Sequence, residues 1–228
     1  MKVSVIIPVY NEEKFIKNCL DSLMKQEEKP DEIIVVDNNC VDRTISIVKK
    51  FKGVKVIQEK KQGIAYARNA GFNAANSDIL ARCDADTIVP VDWIKKIKND
   101  FAKNKKIVAV TPVFLLFDMF LINKSLIPFN IYNFFSKLIV KTSPLLGPSM
   151  VITKTVWDKV KNEVCSDDNS VHEDIDLGIH ISKYGQIYLD QSIVVKTSGR
   201  RIKFNPLSFF VEYPLRLIRM FRSCHHLF

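Results

Sequence analysis

"VSVIIPVYNEEKFIKNCLDSLMKQ", residues 3–26, changes its period halfway along. "VSVIIPVY" is an unbroken apolar run of strand length, whereas "EEKFIKNCLDSLMKQ" returns Phe15, Ile16, Cys19, Leu20, Leu23 and Met24 at helical spacing. The pairing recurs down the chain. "EIIVVDN" precedes the amphipathic "DRTISIVKKF", "VKVIQE" precedes the Ala-rich "GIAYARNAGFNAAN", and "DILARCDAD" precedes "DWIKKIKNDFAK", which leads into "IVAVTPV". Continuous apolar strands alternating with helices predict an α/β fold: a mostly parallel central sheet flanked by helices.

In such sheets ligands bind beyond the carboxyl ends of the strands. The polar residues there are Tyr10, Asn11 and Glu12, then Asp37 and Asn38, then Asp84 and Asp86. On a strand Asp84 and Asp86 share one side, with Ala85 between them. Two adjacent carboxylates repel unless a cation or a set of donors lies between them. A polar turn at a strand end would account for the pair alone, but a chance turn needs no acidic companions at neighbouring strand ends. The convergence favours a site for a divalent cation and a phosphorylated ligand, since Mg²⁺ and Mn²⁺ prefer hard oxygen donors.

The 228 residues suffice for one sizeable domain, and 47% hydrophobic with 26% charged content describes a folded chain. A net charge of +9 invites a nucleic-acid reading, but no such motif is present and the lysines are spread over helical segments. An anionic small substrate or an anionic membrane surface suits the charge as well. Cys19, Cys40, Cys83, Cys165 and Cys224 lack paired spacing, which argues against a zinc site and a disulfide framework and fits a reducing cytosol. "MKVSVIIPVYNEE" reads as a strand and not as a signal peptide.

From Pro112 to Leu146 the chain turns aromatic and apolar, interrupted by Asp118, Lys124 and Lys137. No stretch reaches the roughly 20 uncharged residues of a spanning helix. An interfacial membrane segment and a buried helix with a few exposed aromatics both fit. "GPSMVITKTVWDKV" then predicts a strand running into a short helix, and "HEDIDLGIHISKYG" a helix with Gly185 as its C-cap. "QIYLD" and "SIVVKT" read as two short strands. In the last segment Arg216, Arg219 and Arg222 form a basic stripe on an otherwise apolar helix, suited to an anionic membrane surface or to docking on the core.

"VSVIIPVYNEE", "EIIVVDNNCVDRT", "QGIAYARNAGFNAA", "CDADT" and "HEDIDLGIHISKYG" stand in an order that resembles the family 2 glycosyltransferases of the GT-A fold, from about Lys2 to Arg201. The resemblance implies a GT-A domain over residues 1–205, with a nucleotide-binding half (1–110) and an acceptor-binding half (111–205). A basic amphipathic helix would follow over 206–228. It also implies an inverting transferase that uses a nucleotide-diphosphate sugar donor and Mn²⁺ or Mg²⁺. Pro8, Val9, Tyr10 and Glu12 match the motif that holds the nucleoside, and Asp37 matches the aspartate that reads the base. Arg68 falls in the segment near the nucleotide, although a plain salt bridge on a helix would explain it as well. Asp84, Ala85 and Asp86 match the DXD motif, with Asp86 the expected direct metal ligand. Glu173 and Asp174 match the ED pair, Asp174 being the catalytic base. Arg200 and Arg201 resemble a basic segment that reaches the diphosphate. The acceptor is left open, a lipid-linked phosphate or a glycan, and the expected location is the cytoplasm, either free or peripheral on the inner face of the cell membrane.

The sequence departs from the pattern at Asn38 and Asn39, at Pro148 and Ser149, and at His172, without losing a carboxylate that the chemistry needs. Asp174 opens a predicted helix, where the helix dipole favours its ionised, proton-accepting form. His172, beside the ED pair, is placed to approach the diphosphate or the metal, although a surface histidine is the simpler reading. A sugar-nucleotide pyrophosphorylase or a dinucleotide-dependent oxidoreductase would need a glycine-rich loop after the first strand, and "PVYNEE" has no glycine. An inactive membrane-surface module that binds nucleotide sugars is the alternative outside enzymology; loss of the DXD or ED carboxylates would mark it, and both are intact.

Overall fold

The computed structural model describes residues 1–119, 129–130, 133–134, 143–165, 172–204, 215–217 and 219–220. Its first part alternates as the periodicity predicts: β1 (Val3–Val9), α1 (Ile16–Met24), β2 (Glu32–Asp37), α2 (Thr44–Val48), β3 (Val54–Gln58), α3 (Ile64–Ala74), β4 (Ile79–Cys83), α4 (Trp93–Lys103) and β5 (Ile107–Leu116). The second part contains β6 (Ser149–Thr153), α5 (Lys154–Val160), α6 (Glu173–Ser182), β7 (Gln186–Thr197) and α7 (Arg200–Phe204).

The described strands form one sheet in the order β3-β2-β1-β4-β6-β5-β7. It is parallel at β2–β3, β1–β2, β1–β4 and β5–β7, and antiparallel only where β6 sits between β4 and β5. β1 has β2 on one side and β4 on the other. Its pairing with β4 stops at Ile6↔Arg82, while that with β2 continues to Val9↔Asp37. The crevice opens at this switch point, where α/β sheets place ligands.

Alternation along β1 feeds two cores. Val3, Val5, Ile7 and Val9 pack with Ile16, Leu20 and Leu23 of α1 and with Trp93, Ile94 and Ile97 of α4. Ile6 faces the other way, into the cluster of Phe72, Trp157, Leu177 and Ile181. There Phe72 meets Trp157 edge-on at 5.2 Å, and the Trp157 indole N–H donates to Asn73 Oδ1 at 2.9 Å. α3 lies close on the sheet because Gly71 has no side chain: a Cβ there would come within 2.3 Å of Ile6 Cγ2.

Several local expectations change. "QIYLD" and "SIVVKT" are two halves of one strand, β7, whose pairing with β5 jumps from Pro112↔Asp190 to Val113↔Val194. The Asp190 carboxylate makes this irregularity by accepting from Ser192 N–H at 2.8 Å and from Ser192 Oγ at 3.0 Å. Gly185 does not cap α6 in the left-handed region. It is a glycine because a Cβ would meet Val108 Cγ1 at 2.6 Å and the Lys106 carbonyl at 2.7 Å. Residues 112–116 extend β5 instead of starting the aromatic segment. The expectation against disulfides holds at Cys19, Cys40 and Cys83, which are free, and fails at Cys165, which is disulfide-bonded.

The membrane expectation for 112–146 falls mainly on 120–128 and 135–142, and that for 206–228 on 205–214 and 221–228, all outside the described residues. Where the C-terminal segment is described, Leu217 and the fully buried Met220 pack against Ile175 and Ile179, so this part is docked on α6. No helix among the described residues is long and apolar enough to cross a membrane.

Away from the crevice, Asp100 of α4 is 1% exposed and lies beside Asp190, with Lys103 Nζ at 3.1 Å. Burial, with the neighbouring Asp190 carboxyl, pushes Asp100 up to about 6 against the pull of Lys103. The folded state therefore keeps a proton that the unfolded chain has released. The resulting stabilisation is full below the ordinary carboxylate pKa and is lost as pH rises through about 6. Asp100→Asn holds the neutral form at every pH. Its melting temperature relative to the parent should be a few degrees higher at pH 8 than at pH 5. An equal offset at both pH values would show that burial does not raise Asp100.

Candidate active site

Each carboxyl end on one side of the switch point is locked by side-chain to backbone bonds. After β1, Asn11 is left-handed (φ 54°) and its Oδ1 accepts from Val41 N–H at 2.9 Å, while Glu12 N–H donates to Thr44 Oγ1 at 2.7 Å. After β2, Asp37 Oδ1 accepts from Cys40 N–H at 2.9 Å. Asn38, 3% exposed, donates to the Glu59 and Lys61 carbonyls at 2.9 and 2.8 Å. Its own oxygen accepts from Gly63 N–H at 2.8 Å and Gln62 Nε2 at 3.2 Å. One side chain thus uses its whole hydrogen-bonding capacity to hold the loop that leads into α3.

These ends enclose a cavity of about 470 Å³. Pro8, Val9, Tyr10 and Glu12 line it from β1, and Asp84, Ala85 and Asp86 from the end of β4. Glu173 and Asp174 face it from the start of α6, and Arg200 from α7. Asp37 and Arg68 are not in its wall. Asp37 stands at the end of β2 beside Asn38, which is. Arg68 is fully buried behind the wall, in the salt bridge that an ordinary helix arginine would make, here with Glu173. Arg201 lies in α7, and its side chain is outside the described residues. His172, expected at the surface, is only 8% exposed and sits in the wall next to Asp174.

The two DXD aspartates have different partners. Asp84 Oδ1 takes both Arg82 Nη2, at 2.7 Å, and Arg82 Nε, at 3.2 Å. Asp86 Oδ1 accepts from Thr197 Oγ1 at 3.2 Å, and its Oδ2 lies 3.1 Å from Arg200 Nε. The Arg200 fork also grips both oxygens of Glu12, and its plane covers the Phe15 ring at 4.6 Å. Burial and the adjacent Asp84 charge push Asp86 up to about 6 in spite of Arg200.

Asp174 is held by two backbone donors, Ile175 N–H on Oδ1 at 2.9 Å and Gly147 N–H on Oδ2 at 3.2 Å. The helix start was expected to favour its ionised form. Burial and the neighbouring Glu173 charge instead push its pKa up, which makes the carboxylate a stronger base. Glu173 goes the other way: burial alone would raise it, but Arg82 and Arg68 outweigh that and lower it. Gly147 sits where these groups meet. A Cβ there would lie 3.6 Å from Asp174 Oδ2, 3.7 Å from Asp84 Oδ2 and 3.8 Å from Arg82 Nη2. Any side chain would fill the space shared by the two carboxylates.

Among the described residues no three or more His, Cys, Asp or Glu side chains form a preformed metal cage. Asp84 and Asp86 nevertheless fit a hard divalent cation. They supply two carboxylates at one strand end, and the mutual repulsion that raises Asp86 is what a cation would relieve.

Sequence reading missed Arg82, Gly147, Gln62 and the wall position of Asn38. Arg82 had a signal, a charged residue inside the apolar run "ILARC", two places before Asp84 and therefore on its side of the strand. Gln62 had none.

The model of "Glycosyl transferase family 2" matches residues 4–150, more than half of the chain. The chain belongs to the family 2 glycosyltransferases. Glycosyltransferase GlyA of Streptococcus pneumoniae is 30% identical over 113 residues, which cover 48% of this chain and 16% of that protein. Among solved structures, the mannosyltransferase PcManGT from Pyrobaculum calidifontis, in complex with GDP-Man and Mn²⁺, superposes with a TM-score of 0.70 at 22% identity. It covers 86% of this chain and 56% of that one. S. aureus TarS (residues 1–349) in complex with UDP-GlcNAc gives 0.69 at 21% identity, covering 86% of this chain and 59% of that one. This family 2 member thus shares the GT-A fold of those enzymes, and the matches span 16%, 56% and 59% of the length of these three proteins.

Proposed function

We propose that this family 2 member transfers a sugar, with inversion, from a nucleotide-diphosphate sugar to an acceptor hydroxyl or phosphate. The observation that carries the proposal is the meeting of Asp84 Oδ2 and Asp174 Oδ2 at the side-chain-free position of Gly147, inside the cavity that begins at the end of β1. One carboxylate pair is suited to a cation that a diphosphate would bind, and a further carboxylate of raised basicity stands beside it.

The nucleoside end would be held by Pro8, Val9 and Tyr10, with Asn38 and Gln62 opposite. Asp84 and Asp86 would hold Mn²⁺ or Mg²⁺, the donor phosphates completing its oxygen ligands; the cation supplies neutralisation of the charge that develops on the leaving diphosphate. Arg200 adds a second positive group at the same place and is released from Glu12 or Asp86 to the extent that the diphosphate engages it. For an acceptor hydroxyl, Asp174 takes the proton as the hydroxyl oxygen bonds to the anomeric carbon; a phosphate oxygen arrives already ionised and needs no base. The bond from that carbon to the diphosphate breaks, and the electron pair leaves with the phosphate.

The cavity wall also includes the apolar Phe114, Leu116, Leu146 and Ile202, together with Arg216. That combination supports a lipid-linked acceptor over a free glycan, and with it a place at the inner face of the cell membrane. The described residues do not favour the inactive binding module, since both acidic motifs line one cavity.

Melting curves with UDP-, GDP- and dTDP-sugars, each with and without Mn²⁺, test the reading. One nucleotide class should raise the melting temperature, and only with the cation, because binding to the folded state stabilises it by mass action. Stabilisation without any turnover to offered acceptors would favour the inactive module. No stabilisation by any sugar nucleotide would remove the proposal.

A further inference from the structure

We infer that Arg82 is a positioning residue that presents Asp84 to the cation and ties the metal-side strand to the helix that carries Asp174. The inference rests on the proposed function, since it assigns Arg82 a part in the same site.

Arg82 is 2% exposed and projects from β4 on the side that bears Asp84. Its Nε and Nη2 both close on Asp84 Oδ1, at 3.2 and 2.7 Å, so that this oxygen is occupied. Oδ2 is the atom that faces the shared space at Gly147. The third nitrogen, Nη1, donates to Glu173 Oε1 in the first turn of α6. Glu173 is gripped in turn by Arg68 Nη1, through Oε2 and, at 2.6 Å, through its carbonyl. The buried row Arg68–Glu173–Arg82–Asp84 therefore links α3, α6 and β4 with alternating charge. It ends on one DXD carboxylate, and its second member, Glu173, is the residue next to Asp174.

Stability alone is a poor reason for such a row, because well-packed apolar residues of similar volume often serve as well or better. A fork that fixes one carboxylate oxygen and leaves the other free is a geometric service that apolar packing cannot supply. Lysine cannot supply it either, since its ammonium is a single point charge on a flexible stem. Groups that orient a metal ligand from behind typically change metal affinity about 10- to 100-fold when altered.

The test compares Arg82→Lys with Arg68→Lys in the full chain, by electron paramagnetic resonance titration of Mn²⁺ alone. Arg82→Lys keeps the charge and loses the fork. It should weaken Mn²⁺ binding by about tenfold or more. The Mn²⁺ concentration for half-maximal donor turnover should rise in step, and saturating Mn²⁺ should restore most of kcat. Arg68→Lys perturbs Glu173 without touching Asp84 and should leave Mn²⁺ affinity within about twofold. Equal Mn²⁺ affinities of the parent and Arg82→Lys, or equal losses in the two variants, would overturn the inference and leave the proposed function standing. Absence of Mn²⁺ binding in the parent, both alone and with a nucleoside diphosphate added, would overturn both. If circular dichroism shows Arg82→Lys unfolded, Arg82→Gln is measured in its place against the same two criteria.

Discussion

Asp174→Asn is expected to lower kcat by about 10²–10⁴-fold, the usual worth of a positioned general base, with the donor dissociation constant nearly unchanged. The variant keeps the size and shape of the side chain. In the parent, both carboxylate oxygens accept backbone N–H groups, from Ile175 and from Gly147. An asparagine oxygen can keep one of these bonds, but its amide nitrogen would face the other donor, so a modest loss of stability accompanies the change. The large loss has another origin, because an amide cannot take the acceptor's proton. The proposed nucleotide contacts are on other strand ends, at Pro8 to Tyr10 and Asn38, which line the same cavity away from this substitution. A fall in kcat and kcat/KM together, with donor binding preserved, marks an interaction made only in the transition state. If donor affinity falls as far as turnover, Asp174 belongs to the nucleotide site; if nothing falls, the base lies elsewhere.

Glu173→Gln looks from the sequence like a mild neighbouring control, since it points in another direction. The structure makes it a severe change of a different kind. Glu173 is the only anion between Arg68 and Arg82 in the buried row, and breaking such a pair typically costs about 3–5 kcal/mol. Its signature should be a lowered melting temperature, whereas that of Asp174→Asn is a lowered kcat. The two substitutions, one residue apart, separate chemistry from architecture.

This contrast also marks where sequence reading stopped. Strand ends were legible because burial on both faces leaves strands almost without polar residues, so that the first polar residue past "VSVIIPV", "EIIVV" or "ILARC" announces the crevice. Asp84 and Asp86 stood out in this way, Asp174 through the resemblance of the "HED" segment, and all three line one cavity. Pairing between distant residues was not legible. Arg82 reaches Glu173 across 91 positions, and Arg68 reaches it across 105. No local periodicity encodes such a partner. Arg68 could be placed near the site, but whether it faced the ligand or stood behind the wall depended on where α6 arrives. Gly185 had the right type at a helix end and a different cause, the close approach of Val108 and the Lys106 carbonyl. The fold of β7 into one strand depended on how Asp190 spends its two oxygens, a choice made in three dimensions.

Asp86→Ala is expected to abolish cation-dependent donor turnover, a loss on the order of 10²-fold or more, since even groups behind a metal ligand are worth 10–100-fold. The same substitution should leave the metal-free fold cooperative and no less stable at neutral pH. Asp86 belongs to neither hydrophobic core. Burial and the Asp84 charge push it up to about 6, so near pH 7 its ionised form is held against the preference of the fold. Below the ordinary carboxylate pKa that cost is absent, and it grows as pH rises through about 6. Alanine removes the cost together with the contacts to Arg200 and Thr197, and Arg200 retains its fork on Glu12. In the parent, Mn²⁺ with a matching sugar nucleotide should raise the melting temperature; in Asp86→Ala that rise should vanish while the unliganded melting temperature stays level or climbs. Near-normal Mn²⁺-dependent turnover in the variant would move the cation away from the DXD pair. A collapse of the metal-free melting temperature would make Asp86 a structural anchor of α7 through Arg200, and the repulsion between the two aspartates would no longer signal a cation site.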